Sequence, residues 1–225
     1  MTIAHPLPIH HLDDATIIAY AAGTSGEAHG FAVATHLAYC DACRSAVRQA
    51  ESLGGSLLMQ QEEKAVTDTC RSATLASLDA ITSAHPVKLR PSANNASGIP
   101  AVLCNLIGNQ TLDGLKWKTK GPGLASFEIP LSSNNNTHLQ LLRIGPGRKM
   151  PEHGHGGEEL TVVLRGSYSD HTGRYGVGDV ADLDEDVEHQ PVVDSDCACI
   201  CLIATEAPTR FKSFWARMLQ PIIGI

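Results

Sequence analysis

The segment "GRKMPEHGHGGEELTVVLRG" (Gly147–Gly166) decides how the rest of this chain is read. His153 and His155 are two residues apart, so on extended backbone both project to the same side. Glu159 follows where the apolar run "ELTVVLRG" opens a strand. A third imidazole, His189 in "DEDVEHQPV", comes after the turn-rich "GVGD" (Gly176–Asp179), at the position of a neighbouring strand. Three imidazoles and a carboxylate make the mixed nitrogen and oxygen donor set of a first-row divalent metal.

The surroundings of that segment share its texture. "HLQLLRI", "RYGVGDVADL", "HQPVV" and "CACICLIAT" alternate or run apolar, with Gly, Pro, Asp and Ser between them. Short strands so punctuated predict a barrel or a double-sheet jelly roll. Cys197, Cys199 and Cys201 alternate, which places all three on one side of a strand, as buried packing first and as a redox-responsive pair second. "LKWKTK" (Leu115–Lys120) suits an exposed edge strand.

Towards the N-terminus the pattern changes. "AHPVKLRPSANNASGIP" (Ala84–Pro100) has three prolines and no period, and reads as a linker. Before it, residues 13–83 read as helical. Asp13 and Asp14 can cap "ATIIAYAAG", which Gly23 ends. "GEAHGFAVATHL" runs into "CDACRSAVRQAESL"; Gly54–Gly55 interrupts that pattern, and "CRSATLASLDAI" (Cys70–Ile81) forms a fourth helix.

The helical part holds its own donor cluster. In "HLAYCDAC", His36, Cys40 and Cys43 fall at i, i+4 and i+7. An unbroken helix stacks them on one face. A break near Tyr39, with Asp41 capping a new helix, still leaves the cysteines one turn apart. Zinc takes four such soft and borderline ligands, and His5, His10, His11 or His29 can supply the fourth. Cys70 and Cys104 read as structural, and His29, His85, His138 and His171 as surface residues.

Composition narrows the class. Hydrophobic residues at 43% and charged residues at 18% describe a globular chain. The net charge of -7 argues against direct nucleic-acid binding, which needs a basic face, and suits a basic protein partner. Residues 1–84 carry nine acids against four bases, so the helical part is the more acidic per residue. No apolar run is long enough for a bilayer, and "MTIAHPLPIHHLDD" has the form of no signal peptide. Seven cysteines without an export signal are expected to be thiols or metal ligands in the cytoplasm.

These motifs resemble known ones. Gly147, five residues, His153-x-His155, three residues, Glu159, six residues and Gly166 resemble the first motif of the cupin superfamily, and Gly178-Asp179 with His189 the second. Asp184 and Asp186 stand where many cupins place a Pro-x-Gly turn. The resemblance implies a small β-barrel with a metal at its mouth, held by His153, His155, Glu159 and His189: zinc, or iron, manganese or nickel. "THLAYCDAC" after "HHLDDATIIAYAAGT" resembles the zinc-binding anti-sigma domain, whose hallmark is His-x-x-x-Cys-x-x-Cys with an upstream histidine.

A helical zinc domain followed by a cupin is the layout of the ChrR-type anti-sigma factors. The likeness extends through "VATHL", "GGSL", "GHGGEELTVVLRG", "ICLIAT" and "RFKSF…QPIIGI". It implies an α + β two-domain protein: an all-α zinc-binding bundle (1–83), a linker (84–100) and an all-β cupin jelly roll (101–225). It implies zinc on His11, His36, Cys40 and Cys43. The expected partner is an extracytoplasmic-function sigma factor, with the cupin answering oxidants such as singlet oxygen. A cupin metalloenzyme of dioxygenase type, or a small-molecule-sensing cupin, is the rival reading.

Overall fold

Two aspartates open the first helix of the computed structural model, which describes residues 7–81, 99–132, 137–154, 156–184, 187–205 and 210–211. Helix α1 (Asp14–Ala21) starts where the Asp13 carboxylate accepts the Thr16 N–H, and it ends before Gly23, whose φ of 70° a side chain would strain. Helix α2 (Glu27–Leu37) stops at Ala38, and α3 (Asp41–Met59) begins at once. The chain therefore breaks near Tyr39, as one of the two sequence geometries has it. The capping residue is Cys40 rather than Asp41: its sulfur accepts from the Cys43 N–H. Helix α4 covers Asp68–Ile81.

Gly54 and Gly55 do not interrupt α3, contrary to the sequence reading. Each weakens a helix by about 1 kcal/mol relative to alanine, which the flanking leucines and Met59 offset in a helix already nucleated. Helix α5 (Ala101–Leu106), capped by Pro100, was not legible in a region read as β. A short 3-10 turn at Leu112–Gly114 follows.

The remaining chain is β-rich. The strands are β1 (Lys118–Gly121), β2 (Leu124–Glu128), β3 (His138–Ile144), β4 (His153–Gly154), β5 (Glu159–Arg165), β6 (Tyr168–Ser169), β7 (Arg174–Tyr175), β8 (Val180–Leu183), β9 (Val192–Val193), β10 (Cys199–Thr205) and β11 (Arg210–Phe211). A six-stranded antiparallel sheet has the order β1-β2-β3-β10-β5-β8; β7-β6-β9 and β11-β4 form two smaller sheets. The "LKWKTK" segment does supply the edge strand, with Arg143 stacked over the half-buried Trp117.

The central strands β5 and β10 are covered on both faces, which explains why they read as continuous apolar runs. One face of the large sheet, with Leu141, Leu160, Val162 and Leu202, shares a single core with Ala28, Ala32 and Val33 of α2 and with Leu103 of α5. The other face, with Leu142, Val163, Ala181, Cys199 and Cys201, packs on Tyr168, Tyr175 and Val193 of the small sheet. Helices thus precede a β-rich part, and α2 lies against one face of its large sheet.

Several single-residue readings change. His29 is buried on α2, not exposed, and neither ring nitrogen has a hydrogen-bond partner; one histidine per helical face carries no sequence mark of burial. Cys197 precedes β10 and is exposed, so only Cys199 and Cys201 share a strand face, their sulfurs 3.6 Å apart. Cys104 is buried, whereas Cys70 is exposed on α4. His138 and His171 are exposed as expected; His5, His85, His155, Asp186 and the C-terminal "QPIIGI" lie outside the described residues.

Candidate metal centres

The break between α2 and α3 builds the first centre. His36 sits in the last turn of α2, Cys40 at the cap of α3 and Cys43 in its first turn. The extended segment before α1 brings in His11. Its Nδ1 lies 3.3 Å from the Cys40 sulfur and 3.7 Å from that of Cys43, and His36 Nε2 is 3.3 Å from the Cys43 sulfur. All four donor atoms fall within 4.8 Å of one another. Metal–sulfur and metal–nitrogen bonds of normal length around a tetrahedral ion put donors roughly 3.3–3.8 Å apart, so the cluster fits a metal. Of the three candidates among the described residues, His10, His11 and His29, His11 is the histidine brought into the cluster.

Electrostatics favour the same conclusion. His36 Nδ1 donates to the Gly178 carbonyl at 2.8 Å, which leaves Nε2 as a bare lone pair aimed at the cysteines. Burial, the largest influence, pushes the His36 pKa down to about 4, so the ring stays neutral and able to ligate. Burial likewise pushes the Cys43 thiol up to about 11. Without a cation that thiol keeps its proton. A metal ion supplies the missing charge, aided by the positive end of α3.

The second centre is assembled by backbone pairing. His153 and His189 exchange both main-chain hydrogen bonds, at 3.1 and 2.9 Å, in an isolated antiparallel bridge. Their Nε2 atoms meet at 3.1 Å. His153 Nδ1 donates to the Pro151 carbonyl, and His189 Nδ1 to the Asp170 carboxylate at 2.9 Å. Both rings therefore bring their Nε2 atoms face to face, at a separation that two ligands of one metal ion can have. Histidines held by outer acceptors in this way are the ordinary form of metal-ligating imidazoles. The described donors fit a divalent metal.

Glu159 opens β5 as a buried carboxylate that accepts from Thr161 at 3.1 Å. Burial holds the Tyr168 phenol well above its usual range, with smaller contributions from Cys201, Tyr175, Asp170 and Glu159. Burial raises the Asp170 carboxyl, but bonds from Thr172 and His189 outweigh it and keep the group ionised below the usual carboxylate range. Sequence reasoning missed Asp170. Its only signal is an Asp in a turn, "SDHTG", with nothing to tie it to a histidine nineteen residues on.

A helical two-His, two-Cys cluster seated on a cupin-like sheet with its own histidine pair defines a two-centre, cupin-containing class of protein. Comparison with known proteins is specific. Residues 109–208 match the family model described as a ChrR cupin-like domain. The chain is 38% identical to the anti-sigma-E factor ChrR of Cereibacter sphaeroides, over 96% of this chain and 98% of that one. It is also similar to the crystal structure of Rhodobacter sphaeroides SigE in complex with the anti-sigma ChrR, with TM-score 0.71, 37% identity, and coverage of 87% of this chain and 98% of that one. An RmlC-like cupin from Ralstonia eutropha aligns with TM-score 0.41 at 15% identity, over 46% of this chain and 71% of that one. The chain belongs to the ChrR family.

Proposed function

We propose that this protein is an anti-sigma factor that sequesters an extracytoplasmic-function sigma factor through its helical part. The observation that carries this is the end-to-end likeness to ChrR, in sequence and in fold, where the matched structure is a complex with SigE. The surface supports it. The second half of α3 and α4 expose Leu53, Leu57, Leu58, Met59, Leu75 and Leu78, an apolar area that a free helix pair does not favour in water and that a protein partner would cover.

In this reading zinc is held by His11, His36, Cys40 and Cys43 and is structural. With four protein ligands it leaves no open position for substrate, and its binding free energy adds to the folding of a small helical unit. His153, His155, Glu159 and His189 hold a second divalent metal, which supplies a fixed charge that orders the mouth of a cupin barrel. That part answers oxidative signals of the singlet-oxygen kind, and no catalytic step is assigned to it. We take residues 1–83, 84–100 and 101–225 as helical domain, linker and cupin domain, working in the cytoplasm where its partner meets RNA polymerase; no described helix is long and apolar enough to cross a membrane. Co-expression with an extracytoplasmic-function sigma factor of the SigE type tests the assignment: the tagged protein is expected to retain that sigma factor in equal amount. Purification of the soluble protein alone, with the sigma factor passing through unbound, would overturn it.

A further inference from the structure

The turn between β6 and β8 touches both centres. At one end the Asp170 carboxylate accepts from His189 Nδ1 (2.9 Å) and from the Thr172 hydroxyl (2.5 Å). Because the Thr172 proton is committed to Asp170, the Tyr175 hydroxyl must be the donor in its 2.9 Å contact with Thr172 Oγ1. The Tyr175 ring stacks on His10, with centroids 4.1 Å apart and planes at 27°, and His10 Nε2 donates to the Arg174 carbonyl at 3.1 Å. A Cβ on Gly173 would come within 2.9 Å of His10 Cε1, so the contact is close.

At the other end, Asp179 Oδ1 accepts from the N–H groups of Ile9 (2.7 Å) and His10 (3.0 Å), and Oδ2 from Gly176 (2.8 Å). The next residue is His11. Gly178 presents its carbonyl to His36 and lies so near Tyr39 that a Cβ there would approach it to 2.9 Å. Asp170 thus sets one ring of the cupin-like centre, while Gly178 and Asp179 set the His36 ring and the backbone leading into His11.

We propose that residues Asp170–Asp179 are a shared support that couples the two metal centres, so that filling or emptying the His153/His189 centre changes the metal affinity of the His11/His36/Cys40/Cys43 centre. The physical content is mechanical. Loss of an ion between His153 and His189 frees the His189 ring to turn, which releases Asp170, and with it the Thr172–Tyr175 hydrogen bonds against which His10 is stacked. Asp170, Thr172, Tyr175 and Asp179 are positioning residues in this scheme, since none is required as a ligand. The proposal rests on reading both clusters as metal sites, and it deepens the proposed function by giving a route between its two halves.

Cobalt(II) alone, added to the full chain, tests it. Of the two centres only the helical one is read with cysteine ligands. In a Cys199→Ala/Cys201→Ala background, which removes the thiol pair inside the cupin-like part, the cobalt–thiolate absorption band reports the helical centre, and chelator competition gives its affinity. Replacing His153 and His189 by Ala is expected to weaken the band's affinity about five- to fiftyfold, the range of outer-support and coupling effects. Thr172→Val, which cuts the link in its middle, is expected to remove the difference between filled and emptied cupin-like centres. Thr172→Ser, which keeps the hydroxyl, is expected to restore it. Equal affinities within twofold with and without the two histidines, or a difference unaltered by Thr172→Val, would overturn the coupling while the band itself stands. A parent protein with no thiolate band would overturn the metal reading, and the coupling with it.

Discussion

His36 shows how a single side chain can belong to both halves of a chain. Its Nε2 faces the cysteines of the helical part and its Nδ1 is bound to Gly178 of the β-rich part. The sequence offered the first role through spacing; the second rests on a contact across 142 positions, which no local pattern encodes. His11 is a similar case. Residue spacing left four candidates, and among the described ones His11 is set in place by Asp179, which anchors the two preceding N–H groups. Burial of His36 makes a pH prediction with a definite sign. Its pKa is about 4 when folded against 6.5 as the ordinary value, so between these limits the unfolded chain binds the extra proton. In metal-free protein, stability from this residue is full above pH 6.5 and is lost as pH falls towards 4. At about 1.4 kcal/mol per unit, urea unfolding of the metal-free protein should show a loss of about 2 kcal/mol between pH 7 and 5. His36→Gln should flatten that part of the profile.

At the scale of elements, the strands were more legible than the helix ends. Runs such as "TVVLR" and "CICLIAT" announce buried strands because both of their faces are covered. The glycine pair in α3 misled, since local propensity is a weak prior against a helix already nucleated by a cap and by its packing on α1. A Cβ at Gly55 meets nothing within 4 Å, so Gly55→Ala should raise stability by up to about 1 kcal/mol in denaturant titrations. A drop instead would mean that the second half of α3 is not helical in the free protein. The exposed leucines of α3 and α4 carry the binding prediction for these elements. Leu57→Glu together with Leu78→Glu should leave the fold and both metal centres intact while weakening sigma capture by tenfold or more. This is the loss expected when charge enters the apolar centre of an interface.

For the molecule as a whole, the helix-then-sheet order was legible from texture alone, and the His36/Cys40/Cys43 part of the helical cluster from spacing. What could not be read was how the parts meet. Val33 of α2 and Leu202 of β10 lie in one core, and Gly178-Asp179, a pair that marks the cupin motif, also braces the helical cluster. The proposed function separates inhibition from response. With zinc in excess, His153→Ala or Glu159→Ala should still hold the sigma factor but blunt release when cells meet singlet oxygen, as read by a sigma-dependent reporter; full induction in these variants would remove the cupin-like metal from the signalling path. The central claim is that a metal-ordered helical unit withholds a sigma factor from polymerase. Its most direct test is transcription from a sigma-dependent promoter with purified holoenzyme, titrated with the full chain and with its Cys40→Ser/Cys43→Ser variant. The account predicts inhibition at equimolar protein and its loss in the variant; equal inhibition by both, or by neither, would contradict it.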